Sequence, residues 1–135
     1  MRKALIVLLW VPQALAQTWV QLGVDNTGNK WSVDKASLLR EGDVVNAWKR
    51  IEFAYPEFHP PTGKKVAAAL FLDATDCRKR LAGVKASKLL APDRSVIATS
   101  EVPGERVAWQ AVAAGTLNER VLEFVCRAPP RSAGG

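Results

Sequence analysis

The sequence predicts an α+β domain, a single antiparallel sheet of about six strands with a C-terminal helix packed on one face and tethered to it by a disulfide. Three observations predict it. Most of the chain alternates strand-like segments with turns rich in Gly, Pro, Asn and Asp. One stretch near the end, Thr116–Cys126, has its apolar residues at helical spacing. The only two cysteines are Cys77, just behind a strand signal, and Cys126, at the end of that helix.

Taken in order, residues 1–16 read as an export signal. Arg2 and Lys3 form its positive end, Ala4–Val11 its apolar core and Ala14-Leu15-Ala16 the small-residue cleavage pattern, so the mature chain is expected to begin at Gln17, periplasmic or secreted. The apolar run falls short of the roughly 20 residues of a spanning helix, and Pro12 interrupts it. No later segment is apolar enough to span, and Gln17 stands where a lipid-anchored bacterial protein would carry cysteine. The expectation is a soluble product with no membrane span or lipid anchor. Removing 16 of 135 residues leaves 119, one domain over 17–127, and the loss of Arg2 and Lys3 lowers the formal charge from +6 to +4.

Trp19–Val24 and Lys30–Asp34 read as a hairpin around Asp25-Asn26-Thr27-Gly28-Asn29, since Asn and Gly tolerate left-handed turn conformations. Ser37–Arg40 reads as a short connection and Val44–Ala54 as the third strand. Tyr55–Gly63 holds three of eight prolines and reads as a long loop, because proline cannot donate to a ladder. Val66–Leu72 is nearly unbroken apolar sequence, as in a central strand, and Ala67, Ala68 and Ala69 are small enough for the last helix to dock there. Asp73–Asp76 closes that strand; Arg78–Leu90 and Val96–Val102 follow, separated by a turn at Pro92-Asp93. Thr116 and Glu119 form a capping box, and Leu117, Val121, Phe124 and Val125 form the helix stripe. Residues 128–135 read as a disordered tail with nothing to pack.

Chemistry is sparse. His59 is the single histidine and sits between Phe58 and Pro60 in the proline-rich stretch; Ser37, Ser87, Ser95 and Ser100 lack a nucleophile-elbow context. Asp73 and Asp76 could be a carboxylate pair, but at a strand end such residues usually cap a turn. No phosphate loop, dinucleotide fingerprint or metal-ligand spacing occurs, so neither catalytic residues, metal nor cofactor is expected. Two cysteines in an exported chain point to a Cys77–Cys126 disulfide rather than to a metal site. The basic balance in an exported chain points away from nucleic acid and toward solubility, or toward anionic lipid, sulfated glycan or acidic protein. Lys64, Lys65, Arg78, Lys79 and Arg80 would make one basic patch if their strands were neighbours, with the acids elsewhere, as at Glu119 and Glu123. Trp19, Trp31, Trp48 and Trp109 are many for this length and serve either as core or as an aromatic binding surface.

In order, Trp19, Gly23, Gly28, Trp31, Val33-Asp34, Ser37-Leu38, Val45, Trp48, Asp76-Cys77, Trp109, Gly115-Thr116, Glu119, Leu122 and Val125-Cys126 resemble the pattern of the bacterial surface-adhesin protein E-like domain family. The resemblance covers nearly all of the mature chain. It implies an antiparallel sheet with a bridged C-terminal helix and an adhesin-like, non-catalytic exported binding module of the envelope, whose partner is a host or envelope protein. A structural envelope protein without a ligand is the second reading, and an enzyme the third. Ala114 replaces the usual proline before the helix-leading glycine. The anchor cysteine is missing as well, which sets this chain apart from a surface-held adhesin.

Overall fold

The computed structural model describes residues 16–128 and 131–132; the expected export signal 1–16 lies outside them but for its last residue, Ala16. Nine strands and one α-helix follow in the order β1 (Trp19–Val24), β2 (Lys30–Asp34), β3 (Leu39–Glu41), β4 (Val44–His59), β5 (Lys64–Asp76), β6 (Leu81–Leu90), β7 (Val96–Glu101), β8 (Gln110–Ala111), α1 (Leu117–Arg127) and β9 (Arg131–Ser132). The main path β1-β2-β4-β5-β6-β7 is antiparallel throughout. The expected antiparallel sheet with its bridged helix is the fold: six strands lie on this path, and the short β3, β8 and β9 extend the same sheet to nine.

The first hairpin follows its turn chemistry. Asp25 Oδ1 accepts from the backbone N–H groups of Thr27 and Asn29, both at 3.0 Å, and Oδ2 accepts from Trp31 Nε1 at 3.2 Å. Gly28 takes the left-handed conformation, φ +85°, that the turn requires. Desolvation pushes the Asp25 carboxyl up, but the bonds from Asn29, Trp31 and Thr27 favour the charged form more and hold it down at about 2. A folded-state value below the unfolded one contributes stability that is present above the ordinary 3.8 and lost as pH falls through about 2. Asp25→Asn should therefore flatten the acid limb of the stability curve between those values. Urea titrations of both proteins at stepped pH check this, and parallel limbs would rule it out.

Several segments depart from the expectation, each for a local reason. Tyr55–Gly63 is not a long loop: β4 runs on to His59, and only residues 60–63 turn. The ladder passes from Glu52↔Ala68 to Glu57↔Val66, so Pro56 falls in a wide bulge where no ladder N–H is needed. Likewise Asp73–Asp76 does not close the strand, because Val44–Ala47 of β4 supply partners up to Asp76. Arg78–Arg80 precede β6 as a turn, in which Asp76 Oδ1 accepts from Lys79 N at 2.9 Å and Arg80 is left-handed at φ +55°. The connection after β2 is a 3-10 turn, Lys35–Ser37, followed by the short strand β3. Part of the expected tail has a partner, since the backbone of Arg131–Ser132 lies parallel to Leu39–Arg40.

The capping box forms at α1. Thr116 Oγ1 accepts from Glu119 N at 3.2 Å, while Glu119 Oε1 accepts from Gly115 N, also at 3.2 Å. The buried helix residues are Val121, Leu122 and Val125, with Leu117 and Phe124 half-buried beside them. At 100° per residue the apolar arc from Phe124 to Leu122 is about 160° wide, so Leu122 belongs to a broader stripe than the expected one. The helix packs on Val33, Leu38, Val45 and Ala47. It does not dock on Ala67–Ala69. The Cys77–Cys126 bridge, with Cα atoms 5.8 Å apart, pins its C-terminal end at the foot of β5; Ala68 lies about 30 Å up that strand, and an 11-residue helix reaches only about 16 Å. Its other end meets β1 at Gly23, where an ideal Cβ would stand 2.8 Å from Leu117 Cδ2, and Arg120 Nη1 donates to Leu22 O at 3.3 Å.

Candidate functional site

The fold does not join the five cations of the expected basic patch. Lys64 and Lys65 begin β5, whereas Arg78, Lys79 and Arg80 follow its other end, about 40 Å away along a strand rising 3.3 Å per residue. Nor do the acids lie elsewhere. Arg80 Nη2 stands 3.4 Å from Glu119 Oε2 and 3.3 Å from Glu123 Oε1, which binds the turn to the helix face through exposed ion pairs of small energetic weight. What remains is two separate basic places, one at each end of the sheet.

Lys64 and Lys65 belong to a projecting arm. β2 leaves β4 at Glu52 and β6 meets β5 only from Ala68, so residues 53–66 form a two-stranded extension beyond the sheet. Tyr55 is 80% and Phe58 64% exposed on it, the two most exposed large hydrophobics among the described residues. His59 sits at its turn with Nδ1 2.9 Å from Thr62 Oγ1. Phe58 sits on the ladder opposite Lys65 and Tyr55 in the bulge beside Pro56; exposed aromatic side chains with lysines beside them suit the anchoring of a protein surface.

The second feature is a cleft beside the helix, of about 470 Å³. Its base holds Lys49 and Asp73, whose Nζ and Oδ2 are 2.8 Å apart, with both side chains only 9% exposed. Lys49 Nζ also lies 5.1 Å from the Trp31 ring centroid and 5.2 Å from that of Phe71, so two π faces help to solvate the buried cation. Burial pushes the Asp73 carboxyl above its ordinary 3.8, and the neighbouring Lys49 charge offsets this only in part. Asp73 Oδ1 is buried and takes no hydrogen bond from the described residues. One wall comes from residues 106–113, which approach closely because Gly83 has no side chain to hold them off: its ideal Cβ would stand 3.1 Å from Ala108 O.

Lys49 was not among the sequence candidates. Its signal was strand parity: Val45, Ala47, Lys49 and Ile51 point to the helix side, and register with β5 sets Lys49 beside Phe71 and one step from Asp73. Asp73 and Asp76 are accordingly not a pair. Asp76 caps the turn, as carboxylates at a strand end usually do, while Asp73 belongs to Lys49. Ser37 is structural, donating to Asp34 O at 2.7 Å and accepting from Trp48 N at 2.9 Å. Trp19, Trp31 and Trp48 are half-buried and lie near Arg50, Lys49 and Lys88 in turn, whereas Trp109 is 40% exposed. Among the described residues no group of three or more His, Cys, Asp or Glu could hold a metal ion, and no helix is long and apolar enough to cross a membrane.

Comparison with known proteins agrees with this architecture. Two solved structures share the fold: protein E of Haemophilus influenzae, with a TM-score of 0.58, 7% identity and coverage of 80% of this chain and 83% of that one, and protein E from non-typeable Haemophilus influenzae, with a TM-score of 0.57, 9% identity and coverage of 85% and 79%. No curated protein sequence matches. Residues 19–127 match the family described as surface-adhesin protein E. With nearly the whole domain matched, the chain belongs to the surface-adhesin protein E family.

Proposed function

We propose that this chain is an exported, non-catalytic binding module, adhesin-like, that engages a protein partner through the arm 53–66. The observation that carries the reading is the exposure of Tyr55 and Phe58 on a paired extension that contributes nothing to the core around Val33 and Val45. Family membership supplies the class of activity. Lys64 and Lys65 at the tip of the arm, beside its turn, add positive charge for an acidic partner or rim, while Arg78 and Lys79 lie at the far end of β5, outside this surface. The export signal read in residues 1–16 supports a periplasmic or secreted product.

Binding of the mature protein to surfaces coated with basement-membrane extract tests the reading. Tyr55→Ser with Phe58→Ser should weaken binding tenfold or more, as loss of aromatic anchors does. Lys64→Glu with Lys65→Glu should weaken it chiefly at low salt, where exposed charges reach furthest. Arg78→Glu with Lys79→Glu should leave it unchanged. A folded serine variant that binds as well as the parent removes the arm from function. Binding to phosphatidylglycerol vesicles, lost only in the Arg78 and Lys79 variant, would instead favour an anionic surface met at the other end. Cell fractionation places the protein: release with the periplasm supports an envelope role, and cleavage by external protease supports adhesion.

A further inference from the structure

We infer that the sheet face turned away from α1 holds a site for a small monocarboxylate with an apolar body, whose carboxylate Arg50 grips through its two Nη groups beside Arg94. The site does not use Tyr55 or Phe58 and goes beyond the protein-binding reading. Strand alternation puts Arg50 on this face, because its neighbour Lys49 points to the helix. The only α-helix among the described residues packs on the other side. The guanidinium is held from two directions: its Cζ lies 4.4 Å from the Trp19 ring centroid, and Nε is buried 3.1 Å from Glu52 Oε1, as an ion pair without hydrogen-bond alignment. The rest of the group is open. The side chain is 24% exposed, Nε is its one buried nitrogen that lacks a hydrogen bond, and neither Nη donates to a described residue, so both Nη groups reach the solvent. A guanidinium edge fixed in this way matches the two oxygens of a carboxylate and loses little freedom on binding one.

The hollow beside Arg50 defines the rest of the ligand. It measures about 470 Å³, within the roughly 300–1,000 Å³ of small-molecule sites. Ala68 stands on this face between Glu52 of β4 and Leu90 of β6, and its small side chain leaves the floor open. Trp19, Phe53, Leu70, Leu90 and Pro92 supply apolar walls. The charged lining residues are Arg50, Arg94 and Glu52, and the glutamate faces Nε, so one positive charge is left in excess. That excess repels a cation and is balanced by a monoanion, while the walls select an alkyl or aryl body.

The probe is hexanoate, set against 1-hexanol, which keeps the chain without the charge, and acetate, which keeps the charge without the chain. NMR of the mature oxidised protein follows the Trp19 indole N–H and the backbone amides of Ala68 and Ala91. These should titrate with hexanoate and respond at least tenfold more weakly to either control. Arg50→Gln should erase the preference for hexanoate over hexanol, and Arg50→Lys, which keeps the charge and loses the fork, should not restore it. Because Arg50 lies within the sheet, a second variant uses an exposed turn position: Arg94→Glu should weaken the hexanoate response at least tenfold and leave that of hexanol unchanged. Tyr55→Ser with Phe58→Ser should leave the titration intact, which separates this site from the arm. Equal response to hexanoate and hexanol in the parent protein means an apolar groove only, and equal response to acetate means an adventitious ion only; either overturns the proposal. So does an undiminished hexanoate response in either folded arginine variant, or no response at those N–H groups at all.

Discussion

Replacing either Cys77 or Cys126 with serine is expected to lower the unfolding free energy by about 4 kcal/mol, the chain-entropy value for a closed loop of this size. The cysteines are 49 residues apart, and the loop between them holds β6, β7, β8 and all of α1 up to its bridged residue. Either substitution removes the same cross-link, so the two variants should unfold at the same urea midpoint, and the double variant should add nothing further. Unequal single variants would mean that packing around one sulfur, such as the contact of Arg40 Nη2 with Cys77 Sγ at 3.9 Å, matters as much as the covalent tie. With a loss of this size against a net stability of ordinary magnitude, the reduced protein should lose the helix first. Far-UV circular dichroism under reductant reads that directly.

The second large effect is at the ion pair. Lys49→Met should cost about 3–5 kcal/mol, because it strands a carboxylate that is already desolvated. Lys49→Met with Asp73→Leu should recover most of that loss, since an apolar pair of similar volume has no charge to bury. The deficit of the single variant also depends on pH. The folded-state value of Asp73 lies above its ordinary 3.8, so its contribution is fully present below 3.8 and is lost as pH rises through the folded value. The Lys49→Met deficit should therefore shrink on acidification, opposite in sign to the effect of Asp25 in the first hairpin. Urea midpoints at about pH 4 and 7 decide it, and a deficit that does not change with pH would place its cause in lost packing against Trp31 and Phe71.

Local chemistry made part of this fold legible. β1 and β2 begin and end where turn residues and alternation place them, and Thr116 with Glu119 sets the helix start. The long strands depart from local composition where a distant partner overrides it: Pro56 has the chemistry of a loop residue, but a bulge opposite Ala67 accommodates it within β4. The basic residues were legible as charges and not as places, because neighbours in a list of cations can sit at opposite ends of a strand. Lys49 was hidden for a related reason. A lysine among Arg50 and Glu52 reads as the wet side of a strand, and only its parity with Val45 and Ala47 shows that it faces the helix.

The helix that completes the fold is synthesised after every strand that it covers. Val33, Leu38, Val45 and Ala47 are made early, yet their cover, residues 117–126, arrives only after β5 to β8 have been made. Assembly is therefore gated from the C-terminal end: a chain stopped short of Thr116 would carry a bare apolar face and aggregate. Once the helix has arrived, two cysteines admit a single intramolecular pairing. Oxidation can thus lock the finished arrangement without passing through a mispaired one.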